Sequence, residues 1–168
     1  MTTSLAMTVI GPDRPGLVRI LSDAVASHGG NWLESRMARL AGQFAGVVRV
    51  ECAASSADAL VAALETLGSE GLVVQVIREE ASPAEVRRTI TVDVVGNDRP
   101  GIVRDFAAAI ANAGGNVEEL TTGLESAPMS GHPLFRAHGI ISIPENSDAS
   151  DLTTAIENLG SDLSVDIV

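Results

Sequence analysis

Residues 11–34 read GPDRPGLVRILSDAVASHGGNWLE, and residues 96–119 read GNDRPGIVRDFAAAIANAGGNVEE. Aligned from Gly11 and Gly96, 13 of these 24 positions are identical. The shared residues are mixed in type: Asp13/Asp98, Arg14/Arg99, Pro15/Pro100, Gly16/Gly101, Gly29/Gly114, Gly30/Gly115 and Asn31/Asn116. Low complexity does not produce such a match. The similarity resumes where Leu60, Leu64, Leu67 and Gly68 parallel Leu152, Ile156, Leu159 and Gly160. Self-similarity at a fixed period marks a repeated structural unit. The chain therefore reads as two copies of one unit, residues 1–78 and 89–168. The charged, proline-containing stretch 79–88 is the expected linker.

Each copy carries the same coarse pattern. Leu5 to Ile10 is apolar and bounded by Gly-Pro, which predicts a strand. Its counterpart, 89–95, alternates Ile90, Val92 and Val94 with Thr91 and Asp93. Leu17, Val18, Leu21, Ala24 and Val25 follow helical spacing, as do Ile102, Val103, Phe106, Ala107 and Ile110. Gly29-Gly30 and Gly114-Gly115 end these helices as left-handed caps. Two strands follow, at 32–40 and 44–52, or 117–124 and 135–143. A second helix follows, capped by Ser56 or Asp58 in one copy and Ser150 in the other. A last strand covers 72–77 or 163–168. The order β-α-β-β-α-β, twice, is the α+β ferredoxin-like arrangement, an antiparallel sheet with both helices on one face.

Composition limits the function classes. Twenty-two acids against 11 bases give a net charge of −11. A phosphate backbone or an anionic membrane surface is repelled by such a chain. Aromatics are 2% of residues, too few for a base-stacking platform. A single cysteine, Cys52, forms no internal disulfide and no cysteine-rich metal site. The start carries no basic region followed by an apolar core, and no apolar run reaches the roughly 20 residues that span a bilayer. A cytoplasmic protein with no cofactor is the expectation.

The fold carries many chemistries, so the loop after the first strand decides among them. Paired cysteines for metal transfer are missing there. Arg14 or Arg99 with Asn31 or Asn116 makes an acylphosphatase-like hydrolase conceivable, although the neighbouring Asp repels an anion. His28, His132 and His138 do not recur between copies and read as solvated or satisfied in the core. The loop G-x-D-R-P-G opens a helix. Asp13 and Asp98 stand where a side chain caps free N–H groups, and Pro15 and Pro100 suit a first turn. The same physics serves a ligand. A helix N-terminus offers donors to a carboxylate, and a nearby Asp offers an acceptor to an ammonium. Gly16 and Gly101 let a ligand approach the backbone. The amides of Asn31 and Asn116 either settle the helix ends or reach a ligand.

With these residues, the chain resembles the ACT domain, a regulatory module of amino-acid metabolism, present as a tandem pair. The strand, the G-x-D-R-P-G-[LI]-V loop, the helix and the G-G-N turn carry the resemblance. More narrowly, it resembles the glycine cleavage system transcriptional repressor family. The second copy supports this with an insertion, ESAPMSGHPLF at 125–135, where the first has only residues 41–43 before Phe44. The resemblance implies units that pair side by side, a homodimer, and a small amino acid such as glycine or serine bound at ACT interfaces. It implies ligand-binding roles for Asp13, Arg14, Pro15, Gly16, Leu17 and Asn31, and for Asp98, Arg99, Pro100, Gly101, Ile102 and Asn116. It further implies no catalysis, and a protein partner such as a DNA-binding activator in place of direct DNA contact.

Overall fold

Leu5, Met7 and Val9 are buried while Ser4, Ala6, Thr8 and Ile10 alternate with them, and this period of two makes β1 (Thr2–Pro12) a half-buried strand. In the computed structural model, which describes residues 1–168, it is followed by α1 (Leu17–Ser27), β2 (Asn31–Leu40), β3 (Gln43–Ala53), α2 (Ala57–Glu65) and β4 (Val73–Arg78). The second copy runs β5 (Arg87–Asn97), α3 (Ile102–Asn112), β6 (Asn116–Ser126), β7 (Pro133–Pro144), α4 (Ala149–Glu157) and β8 (Ser164–Ile167). The compact units are Met1–Ser82 and Pro83–Val168. Each holds one antiparallel sheet, ordered β2-β3-β1-β4 or β6-β7-β5-β8. Each has its own core. Leu17, Leu21, Val25, Leu60 and Leu64 cover Leu5, Met7, Val9, Val48 and Val50 in the first. Ile102, Phe106, Ile110, Leu152 and Ile156 cover Val92, Val94, Ala137 and Ile141 in the second.

The first helix of each unit ends as expected. Gly29 and Gly114 take φ of +68° and +77°. Gly30 N–H donates to Val25 O at 2.9 Å and Gly29 N–H to Ala26 O at 3.0 Å; Gly115 and Gly114 repeat both bonds with Ile110 and Ala111. This is the paired 6→1, 5→2 closure of a left-handed cap.

Four expectations need correction. Asp13 and Asp98 do not cap the helices. The N-cap positions are Gly16 and Gly101, at φ of +89° and +82°, with no side-chain bond. The Asp backbones are held elsewhere: Asp13 N–H donates to Gly42 O in the β2–β3 turn and Asp98 N–H to Pro133 O at the start of β7. Ser56 makes no capping bond, and in α4 the cap is Asp148, which accepts from Ser150 N–H at 2.9 Å. Val18 and Val103, included in the helical pattern, are 48% and 42% exposed, because each stands one position, about 100° of helix, beyond the buried Leu17 or Ile102. Finally, the expected linker loses its last two residues to β5. Arg87 donates to the Ser142 and Gly114 carbonyls at 2.9 and 2.7 Å, which holds the strand start in register opposite Pro144.

Gly11 leaves β1 where a side chain has no room. A Cβ there would fall on the backbone oxygen of Gly71, whereas at the equivalent Gly96 it would meet the Leu163 side chain. Backbone cannot rotate aside. Gly11→Ala is therefore expected to cost about 1–3 kcal/mol, and Gly96→Ala less, by denaturant midpoint.

Candidate functional site

The second unit has a cavity of about 320 Å³ at the mouth of α3. Asp98, Arg99 and Gly101 line it from the loop, Ile102, Val103 and Arg104 from the first turn of α3, Thr122, Gly123 and Leu124 from β6, and Phe135 from β7. Five of the site residues read from sequence thus stand on or beside one pocket. Asp98, Arg99, Gly101 and Ile102 line it, and Pro100 lies between them. Because Gly101 takes a left-handed conformation and caps with no side chain, the first N–H groups of α3 have no side-chain acceptor. A Cβ on Gly101 would also meet the Arg104 guanidinium at 3.1 Å.

The charges of this site are arranged by one carboxylate. Asp105 accepts from Arg99 Nη1 at 2.8 Å and from Arg104 Nε at 3.1 Å. These hydrogen bonds, the Arg99 one first, hold the Asp105 carboxyl below the usual carboxylate range. Arg99 also donates to Leu159 O at 3.3 Å. Its head is thus turned toward the end of α4. Arg14 repeats this in the first unit, donating to Glu70 O at 2.5 Å. The arginine of the repeated loop therefore fastens the loop to the segment that follows the second helix. Asp98 is different: no hydrogen bond or ion pair reaches its carboxylate. Its oxygens remain open to an incoming cation.

Asn31 and Asn116 are not brought to these loops within a unit. Asn116 opens β6 opposite Ser142, whereas Leu124 lies opposite Phe135 beside the loop. Eight strand residues separate them, about 26 Å at 3.3 Å each. Asn31 and Arg39 stand equally far apart on β2. Asn116 instead donates to Glu118 Oε1 at 3.0 Å, and Ser142 Oγ donates to the same oxygen at 2.6 Å. The same separation removes the acylphosphatase-like arrangement, since arginine and asparagine do not meet within a unit. Sequence reading also missed Arg104, Thr122, Leu124 and Phe135. Only the exposed apolar Val103 and Leu124, at 42% and 62%, carry a trace of the site in their chemistry.

The carboxylates of this unit make its stability pH-dependent. Asp105 is lowered by its arginines, Glu118 by Ser142 and Asn116, and Asp148 by the Ser150 backbone and side chain. A folded-state value below the unfolded one stabilises above the unfolded value and is lost as pH falls through the folded one. The melting midpoint is expected to hold from pH 7 to about 5 and to fall below the ordinary carboxylate range.

Among known proteins, the family model of the ACT domain matches residues 3–76. The glycine cleavage system transcriptional repressor of Escherichia coli (strain K12) is 26% identical over 165 residues, 95% of this chain and 85% of that protein. A crystal structure of an unknown protein from Galdieria sulphuraria aligns with a TM-score of 0.85 and 30% identity, covering 99% of this chain and 98% of that one. A crystal structure described as a candidate glycine cleavage system transcriptional repressor aligns with a TM-score of 0.72 at 20% identity, over 100% and 98%. That last likeness concerns the fold alone.

Proposed function

We propose that this chain, whose residues 3–76 match the ACT domain and whose second unit repeats the same sheet order, is a regulatory protein in which a small amino acid binds the second unit's loop and alters the hold on a partner protein. The observation that carries the reading is the uncompensated Asp98 carboxylate beside the open start of α3. A zwitterion needs an acceptor for its ammonium and donors for its carboxylate. Asp98 supplies the first. The α3 N–H groups and the Arg104 guanidinium supply the second. Thr122, Leu124 and Phe135 line the side on which the ligand's own side chain would lie.

Likeness to glycine cleavage system repressors supports transcriptional control of amino-acid metabolism, with glycine or serine as the effector. The net charge of −11 makes direct DNA contact unfavourable. Control would then run through a protein, such as a DNA-binding activator. The 125–134 insertion suits that contact. Its tip is closed by Ala127 N–H donating to His132 O at 3.1 Å, and Pro133 O holds the Asp98 N–H. Met129 at the tip is 98% exposed. A ligand that orders the loop would in this way reach the insertion.

Thermal denaturation against the protein amino acids tests the reading. At 100 times Kd a ligand stabilises by about 2.7 kcal/mol. That raises the midpoint of a unit of this size on the order of 10–20 °C. A rise confined to one or two small amino acids is expected. An unchanged midpoint with all of them would defeat the proposal.

A further inference from the structure

We infer that Arg39 serves as a built-in cation that fills the first unit's loop, so that the chain takes one amino acid where its repeat suggests two. The inference rests on the amino-acid reading of the second unit's site.

Sheet register makes the comparison exact in position. Phe44 lies opposite Gly11 on one side and Arg39 on the other. Phe135 lies opposite Gly96 and Leu124 in the same way. Arg39 and Leu124 therefore occupy one position of the repeated sheet, next to the repeated Asp. In the first unit the Arg39 Nε lies 2.8 Å from the Asp13 Oδ2. In the second unit the side chain there is apolar, and the Asp98 carboxylate has no partner. The guanidinium of Arg39 sits where the ammonium of a ligand would have to sit.

Magnitudes favour exclusion over simple competition. An exposed ion pair by itself weakens a competitor about fivefold at most. Displacing Arg39 brings two further losses. The released guanidinium stays tethered near the incoming ammonium, like charge beside like charge, and the apolar wall that Leu124 gives the second site is absent. Together these set the first loop at least about tenfold weaker than the second. Arg39 is well placed for this task without a role in folding, since its side chain is 69% exposed.

Calorimetric titration of the full chain with glycine and with serine, together with any other amino acid that raises the melting midpoint, reads the stoichiometry. The wild type is expected to bind one ligand per chain. Arg39→Leu, which copies the second unit, is expected to bind two, and Asp98→Asn to bind its ligand about ten- to a hundredfold more weakly. Leu124→Arg, which copies the first unit, is expected to lose binding, while Leu124→Met keeps it. Two ligands per wild-type chain, both lost only in the Asp13→Asn, Asp98→Asn double variant, would overturn the role of Arg39 and leave the amino-acid reading standing. One ligand in both wild type and Arg39→Leu would also overturn it. No binding by the wild type or by Arg39→Leu would overturn the amino-acid reading itself, and this inference with it.

Discussion

Asp98→Asn is expected to weaken amino-acid binding by about ten- to a hundredfold while leaving the melting midpoint of the free protein unchanged. The two halves of this result have one cause. A hydrogen bond to a charged partner contributes about 1.5–3 kcal/mol, which is the stated range in affinity. In the free protein the Asp98 carboxylate contacts no partner, so the amide replaces it without breaking anything. The loop itself is held by the Asp98 backbone N–H on Pro133 O, which the substitution keeps. Asp13→Asn gives a useful contrast. It removes the carboxylate that Arg39 approaches at 2.8 Å, yet it should barely change ligand affinity. A titration in which Asp98→Asn binds as tightly as wild type would remove Asp98 from the site.

Phe106→Ala carries the largest expected cost in stability. Phe106 is 2% exposed and packs at the centre of the second core, among Ile102, Ile110, Leu152 and Ile156. Truncating a buried Phe loses its transfer free energy and leaves a cavity, together about 3–5 kcal/mol. In a unit of this size that lowers the melting midpoint on the order of 15–30 °C. Calorimetry should place the loss in the second unit, because the first has a separate core around Leu21 at the equivalent position. A fall of under about 5 °C would mean that the α3 face is not packed as described. Phe106→Leu, which restores the residue found in the first unit, should recover most of the loss.

The repeat made the architecture legible. Gly29-Gly30 and Gly114-Gly115 announced the helix ends because left-handed caps favour glycine, and both copies close with the same pair of bonds. The alternation of Val48, Val50 and Cys52 placed the core face of β3. Local rules failed where long-range contacts decide. Asp13 and Asp98 read as caps, yet they lie three residues before the N-cap glycines Gly16 and Gly101, and their backbone N–H groups are held by Gly42 O and Pro133 O. Arg14 and Arg99 read as ligand residues from their place in the motif. They also donate to Glu70 O and Leu159 O, 56 and 60 residues further along the chain, contacts that no local rule supplies, while Arg99 still lines the pocket. Leu124 was invisible as a site residue because nothing local ties a strand leucine to Asp98. Only the register, which sets it opposite Phe135, brings the two to one cavity. Arg39 against Leu124 is the same lesson: the difference between the units lies outside the stretch that they share most closely.

Backbone amide spectra of the full chain, recorded while glycine and then serine are added, test the central claim most directly. Binding at the second unit's loop predicts saturable shifts concentrated at Gly101 to Arg104 and at Thr122 to Leu124, with Gly16 to Arg19 little changed. Asp98→Asn should abolish them at the same concentrations. Saturable shifts centred elsewhere, or spectra unmoved by either amino acid and by every other small one, would contradict an amino-acid site at Asp98.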